Sequence, residues 1–217
     1  MFKGGFVLRH AHDVLRFSKD VDATRHEPPQ HKLDGKDVAD AIRQASIQNV
    51  MRFNPDPPAT DSARSLDFDQ VQVIGDVFSD SSVHVEISYR EALVDPPMPM
   101  GIGQPFYEDF EVLTMTTNEM PAEKFRTLAQ RRRSTDLADL AWLLSKTATQ
   151  DERIADIAQV KFELVARGRA NRMERVERHL ADLADSYDNE VPGVFPEASS
   201  YAEAMEIVGT RLTSLVP

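Results

Sequence analysis

The 217-residue sequence contains no cysteine. That removes disulfides, zinc–thiolate sites, iron–sulfur clusters and thiol nucleophiles together. Long apolar runs are also missing: none approaches the ~20 residues a bilayer span requires, and no apolar leader precedes Phe6-Val7-Leu8. A cytoplasmic protein without membrane association is therefore expected. Basic residues are in deficit, with 25 Lys and Arg against 36 Asp and Glu and a net charge of -11, which argues against generalised binding to a phosphate backbone. The deficit is uneven. Residues 61–119 hold 2 basic against 12 acidic side chains, whereas 120–180 hold 13 against 9, so one basic face remains open to an acidic protein. No internal repeat is present.

What the chain does have is a globular composition, 41% hydrophobic and 28% charged. Apolar spacing after Lys3-Gly4-Gly5 predicts a glycine turn opening a short helix that runs to Leu15. Asp20-Val21-Asp22-Ala23 alternates like a strand, with both carboxylates on one face. A helix is expected over 34–48, strands over 66–74, 83–89 and 110–115, and a proline-rich loop over 95–101. Beyond Pro121 the strand signals vanish. Helical spacing follows over 122–132, 135–144, 153–165 and 169–184, and the last helix opens on the capping box Ser200-Tyr201-Ala202-Glu203. The expected fold is α+β: a mixed sheet flanked by helices over residues 1–117, followed by an all-helical domain over 118–217.

The chemistry concentrates near the start. Backbone amides at a glycine turn leading into a helix make an anion site, and glycine lets a phosphate approach closely. Two aspartates on one strand face beside it, Asp20 and Asp22, can share Mg²⁺ with those phosphates. A nucleoside triphosphate fits both halves. His10-Ala11-His12 suggests zinc, but on a helix positions i and i+2 diverge by about 200° and cannot share one ion.

Three segments together resemble the AbiEii/AbiGii-type nucleotidyltransferase toxins of the DNA polymerase beta-like superfamily. They are Lys3-Gly4-Gly5 with Leu8-Arg9, the run Arg16-Phe17-Ser18-Lys19-Asp20-Val21-Asp22, and a later block. That block joins Ala122-Glu123-Lys124-Phe125 to Arg133-Ser134-Thr135-Asp136-Leu137-Ala138-Asp139-Leu140. The resemblance implies a nucleotidyltransferase fold and an NMP transfer from an NTP to an acceptor hydroxyl, the 3′ end of tRNA being favoured, by the toxin of a toxin–antitoxin pair. It makes Asp20 and Asp22 the Mg²⁺ pair, with Glu86 as a third metal carboxylate. Gly4 and Gly5 would accommodate the triphosphate, with Ser18 and Lys19 near it. Lys124 would touch nucleotide phosphates or leaving pyrophosphate, and Asp136 would complete the catalytic set. Glu86 or Asp136 could act as general base.

Read without the resemblance, Lys124 is a solvated lysine beside Phe125, and Asp136 after Ser134-Thr135 is a helix-start acid. The family commonly has Ser or Thr where this chain has Phe6, and a helical segment before the glycine turn. These departures keep open a catalytically degenerate member that binds a partner or nucleotide, and a further alternative keeps the enzyme but makes a protein side chain its acceptor.

Overall fold

A computed structural model describes residues 1–18, 20–25, 33–45, 52–75, 81–91, 93–104, 107–165 and 172–215. Its backbone divides into two compact units. One comprises Met1–Phe6 with Ser18–Glu91, the other Val7–Phe17 with Ala92–Pro217.

The first unit is a mixed sheet. Its strands β1 (Phe2–Lys3), β2 (Asp20–Thr24), β3 (Arg52–Pro55), β5 (Ser65–Ile74) and β6 (Ser81–Ser88) lie in the order β3-β5-β6-β2-β1, and β4 (Thr60–Asp61) pairs with β5. β2 runs parallel to β6, and β5 antiparallel to it. The strand faces expected for β2 and β6 hold in their parallel register, while the register of β5 shifts between Phe68 and Val71. Leu66, Phe68, Val85 and Ile87 form one face, against which Val38, Ala39 and Ile42 of helix α2 (Gly35–Gln44) pack. Asp34 caps α2, its side chain accepting from Lys36 N. Positions 46–48 of the longer helix read from sequence lie outside the described residues. β3 was not expected, because Pro55 and the prolines after it read as a stop; Pro55 instead ends an edge strand, where a missing N–H costs little.

Helix α1 (Gly4–Ala11) is shorter than its apolar spacing suggests. Asp13 adopts a left-handed φ of 51°, which ends the helical path before Val14 and Leu15.

The second unit opens on a hairpin, β7 (Met98–Gln104) against β8 (Tyr107–Thr114). The loop expected over 95–101 is therefore strand from Met98 onward. Pro99 signalled a break, but among the described residues of its unit its strand pairs on one edge alone, with β8, and proline is tolerated on the other. Six helices follow: α3 (Glu119–Leu128), α4 (Ser134–Lys146), α5 (Asp151–Val165), α6 (Arg172–Ala181), the short α7 (Tyr187–Glu190) and α8 (Tyr201–Leu215). Their apolar stripes meet in one core that includes Phe125, Leu137, Leu140, Ile157, Phe162, Leu180 and Phe195. The capping box at α8 forms as expected: Ser200 N–H reaches Glu203 Oε2 at 2.9 Å and Glu203 N–H reaches Ser200 Oγ at 3.4 Å. Among the described residues no helix is long and apolar enough to cross a membrane.

Candidate nucleotide and metal site

In the sheet unit, strand register sets the carboxylates. Asp20 faces His84 across the parallel β2–β6 pair and Asp22 faces Glu86; one strand further, Asp67 lies opposite Glu86. Because side chains alternate, all five project from the sheet face opposite to the one α2 covers. Glu86 has Arg90 at 3.7 Å.

Gly4 is fitted to this acidic face. Its φ is +69°, and a Cβ placed there would lie 2.7 Å from Asp22 Oδ2, closer than real Cβ contacts come. Glycine is thus required on both counts, and the main chain opening α1 lies directly against the Asp22 carboxylate. Gly5 is buried beside it. Ser18 Oγ donates to the Asp20 carbonyl at 2.9 Å, so this hydroxyl organises the approach to β2. Lys19 lies outside the described residues. Phe6, in place of a hydroxyl residue, stacks on Phe2 with ring centroids 5.1 Å apart.

Sequence reasoning missed a second cluster on the same face. Asp67, Asp69 and His84 bring their ligand atoms within 4.8 Å of one another. His84 Nε2 lies 2.6 Å from Asp67 Oδ1, and its Nδ1 lies 3.7 Å from Asp20 Oδ1. Burial alone would lower the His84 pKa; the hydrogen bond and charge of Asp67, with the charges of Asp20 and Glu86, outweigh it and raise the pKa above the ordinary value. An irregularity in the ladder between Phe68 and Val71 places Asp69 beside His84. The alternation of Asp67 and Asp69 with Leu66 and Phe68 was the available signal. Among the described residues, the side chains whose ligand atoms gather closely enough to hold a metal ion are Asp67, Asp69 and His84; Asp20, Asp22 and Glu86 share their face, and carboxylate oxygens suit a hard divalent cation such as Mg²⁺. The nitrogen of His84 adds a donor that Mn²⁺ or Zn²⁺ tolerates better.

In the helical unit, Lys124 and Asp136 meet, and neither is a surface residue. Lys124 Nζ donates to Asp136 Oδ1 at 2.9 Å and to Asp139 Oδ2 at 2.7 Å, with side-chain exposures of 14%, 2% and 0% in that order. Arg131 Nε adds a 2.8 Å bond to Asp136, and Arg16 Nε a 2.9 Å bond to Asp139. The solvated-lysine and helix-cap readings fail here, since both groups are buried in an ion network. Burial works against charge at each. For Lys124 the two carboxylates overcome it and push the pKa above the usual lysine range; for Asp136 the charges and hydrogen bonds of Lys124 and Arg131 hold the carboxyl well below the usual range. Asp139 and Arg16 were not assigned from sequence. Asp136 and Asp139 sit three apart on α4 and so share a face, which was legible; the Arg16 contact spans 123 residues and was not.

In overall fold the chain is similar to MenT4, a nucleotidyltransferase toxin of Mycobacterium tuberculosis H37Rv. The TM-score is 0.72 at 22% identity, over 99% of this chain and 74% of that one. The family model for the AbiEii nucleotidyl transferase toxin of type IV toxin–antitoxin systems matches residues 1–207. The chain therefore belongs to the AbiEii family of nucleotidyltransferase toxins.

Proposed function

We propose that the protein transfers an NMP from an NTP to the 3′ hydroxyl of tRNA in the cytoplasm, with Mg²⁺, as a toxin countered by a cognate antitoxin. The observation that carries this reading is the seating of Asp22 against Gly4, with Asp20 two residues away on the same face of β2. It joins a carboxylate pair to a glycine-opened helix start, the two elements a metal-bound triphosphate requires.

Asp20, Asp22 and Glu86 would hold divalent cations, which would supply charge stabilisation for displacement at the α-phosphorus. Gly4 and Gly5 admit the phosphates, with Ser18 and Lys19 beside them. Lys124, kept cationic by its two carboxylates, offsets charge that develops on pyrophosphate. Of the two candidate bases, Asp136 is a poor proton acceptor because Lys124 and Arg131 depress its pKa, which favours Glu86 for accepting the acceptor-hydroxyl proton. Arg131, Arg132 and Arg133 are exposed ahead of α4, in the basic part of an acidic protein, and supply charge for an RNA backbone.

The test is incubation with each labelled NTP and total tRNA. Label enters tRNA with the wild type and not with Asp20→Ala or Asp22→Ala; transfer undiminished by both substitutions refutes the reading. The stacking of Phe6 on Phe2, where a hydroxyl would meet phosphate, favours a second reading of NTP binding with weak or no turnover. NTP binding without label in any RNA would establish it, and label in protein would establish a protein acceptor.

A further inference from the structure

Asp67, Asp69 and His84 form a group that the transfer chemistry does not use. All three belong to the sheet of the first unit, Asp67 and Asp69 two positions apart on β5 and His84 on the neighbouring β6. One ligand atom from each lies within 4.8 Å of the other two. The closest pair, Asp67 Oδ1 and His84 Nε2 at 2.6 Å, is complete as a hydrogen bond without Asp69. Asp69 is exposed and has no hydrogen bond or ion pair of its own among the described residues, yet its carboxylate converges on the imidazole.

The donors select the ion. Four-coordinate Zn²⁺, with bonds of about 2.0–2.2 Å to imidazole nitrogen and carboxylate oxygen, holds its ligands roughly 3.3 Å apart. The group brackets that spacing, from 2.6 Å for its closest pair to the 4.8 Å limit, so small side-chain rotations close it on an ion. Three protein ligands leave the fourth position to water. Mg²⁺ demands oxygen ligands in octahedral geometry and gives up its waters reluctantly, so an imidazole in the set disfavours it.

We propose that Asp67, Asp69 and His84 bind one Zn²⁺ at a site distinct from the Asp20, Asp22 and Glu86 carboxylates. The site goes beyond the transfer reaction and does not depend on it. Occupancy also fixes the tautomer of His84. Nε2 must offer its lone pair to the ion, so the ring proton sits on Nδ1, the nitrogen that faces Asp20 Oδ1 at 3.7 Å. Zn²⁺ is thereby felt at the first carboxylate of β2.

The experiment is isothermal titration of the full chain with Zn²⁺, in excess Mg²⁺ and without nucleotide. Wild type should take up one Zn²⁺, and Asp69→Asn and His84→Gln should each weaken that binding about tenfold or more. Asp22→Ala should leave it unchanged. Because Asp69 is exposed and bonded to nothing described, Asp69→Asn carries the test should His84→Gln fail to fold, with Tm as the check. In ¹⁵N spectra of the Zn²⁺-loaded wild type, His84 should carry its proton on Nδ1. No Zn²⁺ uptake, uptake undiminished in Asp69→Asn, uptake weakened as much by Asp22→Ala as by Asp69→Asn, or a proton on Nε2 in the loaded protein overturns the proposal. Zn²⁺ held at His10, His12 or His179 would survive the Asp69 substitution and so counts against it. Each of these outcomes leaves label transfer in Asp20→Ala and Asp22→Ala to decide the proposed function separately.

Discussion

Replacing Gly4 with alanine separates stability from activity at the acidic face. The added methyl meets two obstacles. The left-handed φ of +69° costs an L-residue ~1–2 kcal/mol, and the new Cβ lies 2.7 Å from Asp22 Oδ2. The second obstacle is relieved by turning the Asp22 carboxylate, since its Cγ and Cβ stand at 3.6 and 3.7 Å. The fold therefore bears mainly the backbone cost, and catalysis bears the displacement of the Asp22 carboxylate. At ~2–4 °C per kcal/mol for a chain of this size, Tm should fall by about 2–8 °C. Transfer should fall by about 10²-fold, the usual consequence of a reacting group misplaced by about 1 Å. Gly209→Ala is the control: it is exposed on α8 with open space around its Cβ, and helix propensity should stabilise it by ~0.5–1 kcal/mol without changing transfer. Differential scanning fluorimetry and the tRNA assay read both quantities. A Gly4→Ala protein with wild-type Tm and wild-type transfer would refute the role assigned to this glycine.

Chelating divalent cations with EDTA should abolish transfer, and excess Mg²⁺ should restore it; transfer that persists in EDTA would contradict the carboxylate assignment. Asp136→Asn should destabilise the protein by ~3–5 kcal/mol at pH 7, as expected on removing one partner of a buried ion pair. Because Asp136 has a depressed native pKa, its stabilisation is fully present above the ordinary carboxylate value of 3.8. It is lost as pH falls from there towards the native value, so urea denaturation should show the gap between variant and wild type constant from pH 7 to about 4 and narrowing below. Glu119→Gln tests another buried carboxylate of the helical unit, which accepts from Val94 N and Asp95 N at 3.0 and 3.1 Å and pairs with Lys161 at 2.8 Å. A similar loss of ~3–5 kcal/mol is expected in urea denaturation, and a variant within 1 kcal/mol of wild type would refute a structural role for this carboxylate.

The parts legible in the sequence were those governed by local rules. Period-two alternation put Asp20 and Asp22 on one face, and a glycine pair announced the turn beside them. The α8 capping box needed only four residues. Of the four strands that escaped, β1 and β4 are only two residues long, and β3 and β7 were hidden because Pro55 and Pro99 read as breaks and a single chain does not say which strands lie at an edge. Lys124 and Asp136 owed their selection to the resemblance, since a lysine beside a phenylalanine gives no sign of burial. Asp67 with His84, and Arg16 with Asp139, are pairs separated by 17 and 123 residues that only strand register and helix packing bring together.

The Arg16–Asp139 contact also imposes an order in time. Arg16 leaves the ribosome early, but its partner follows 123 residues later, about 6–25 s at ~5–20 residues per second. Until α4 has been synthesised and folded, Lys124 has neither of its carboxylates and Arg16 has nothing to hold. The buried ion network of the helical unit thus cannot assemble before α4 has been made, although its first member is among the earliest residues synthesised.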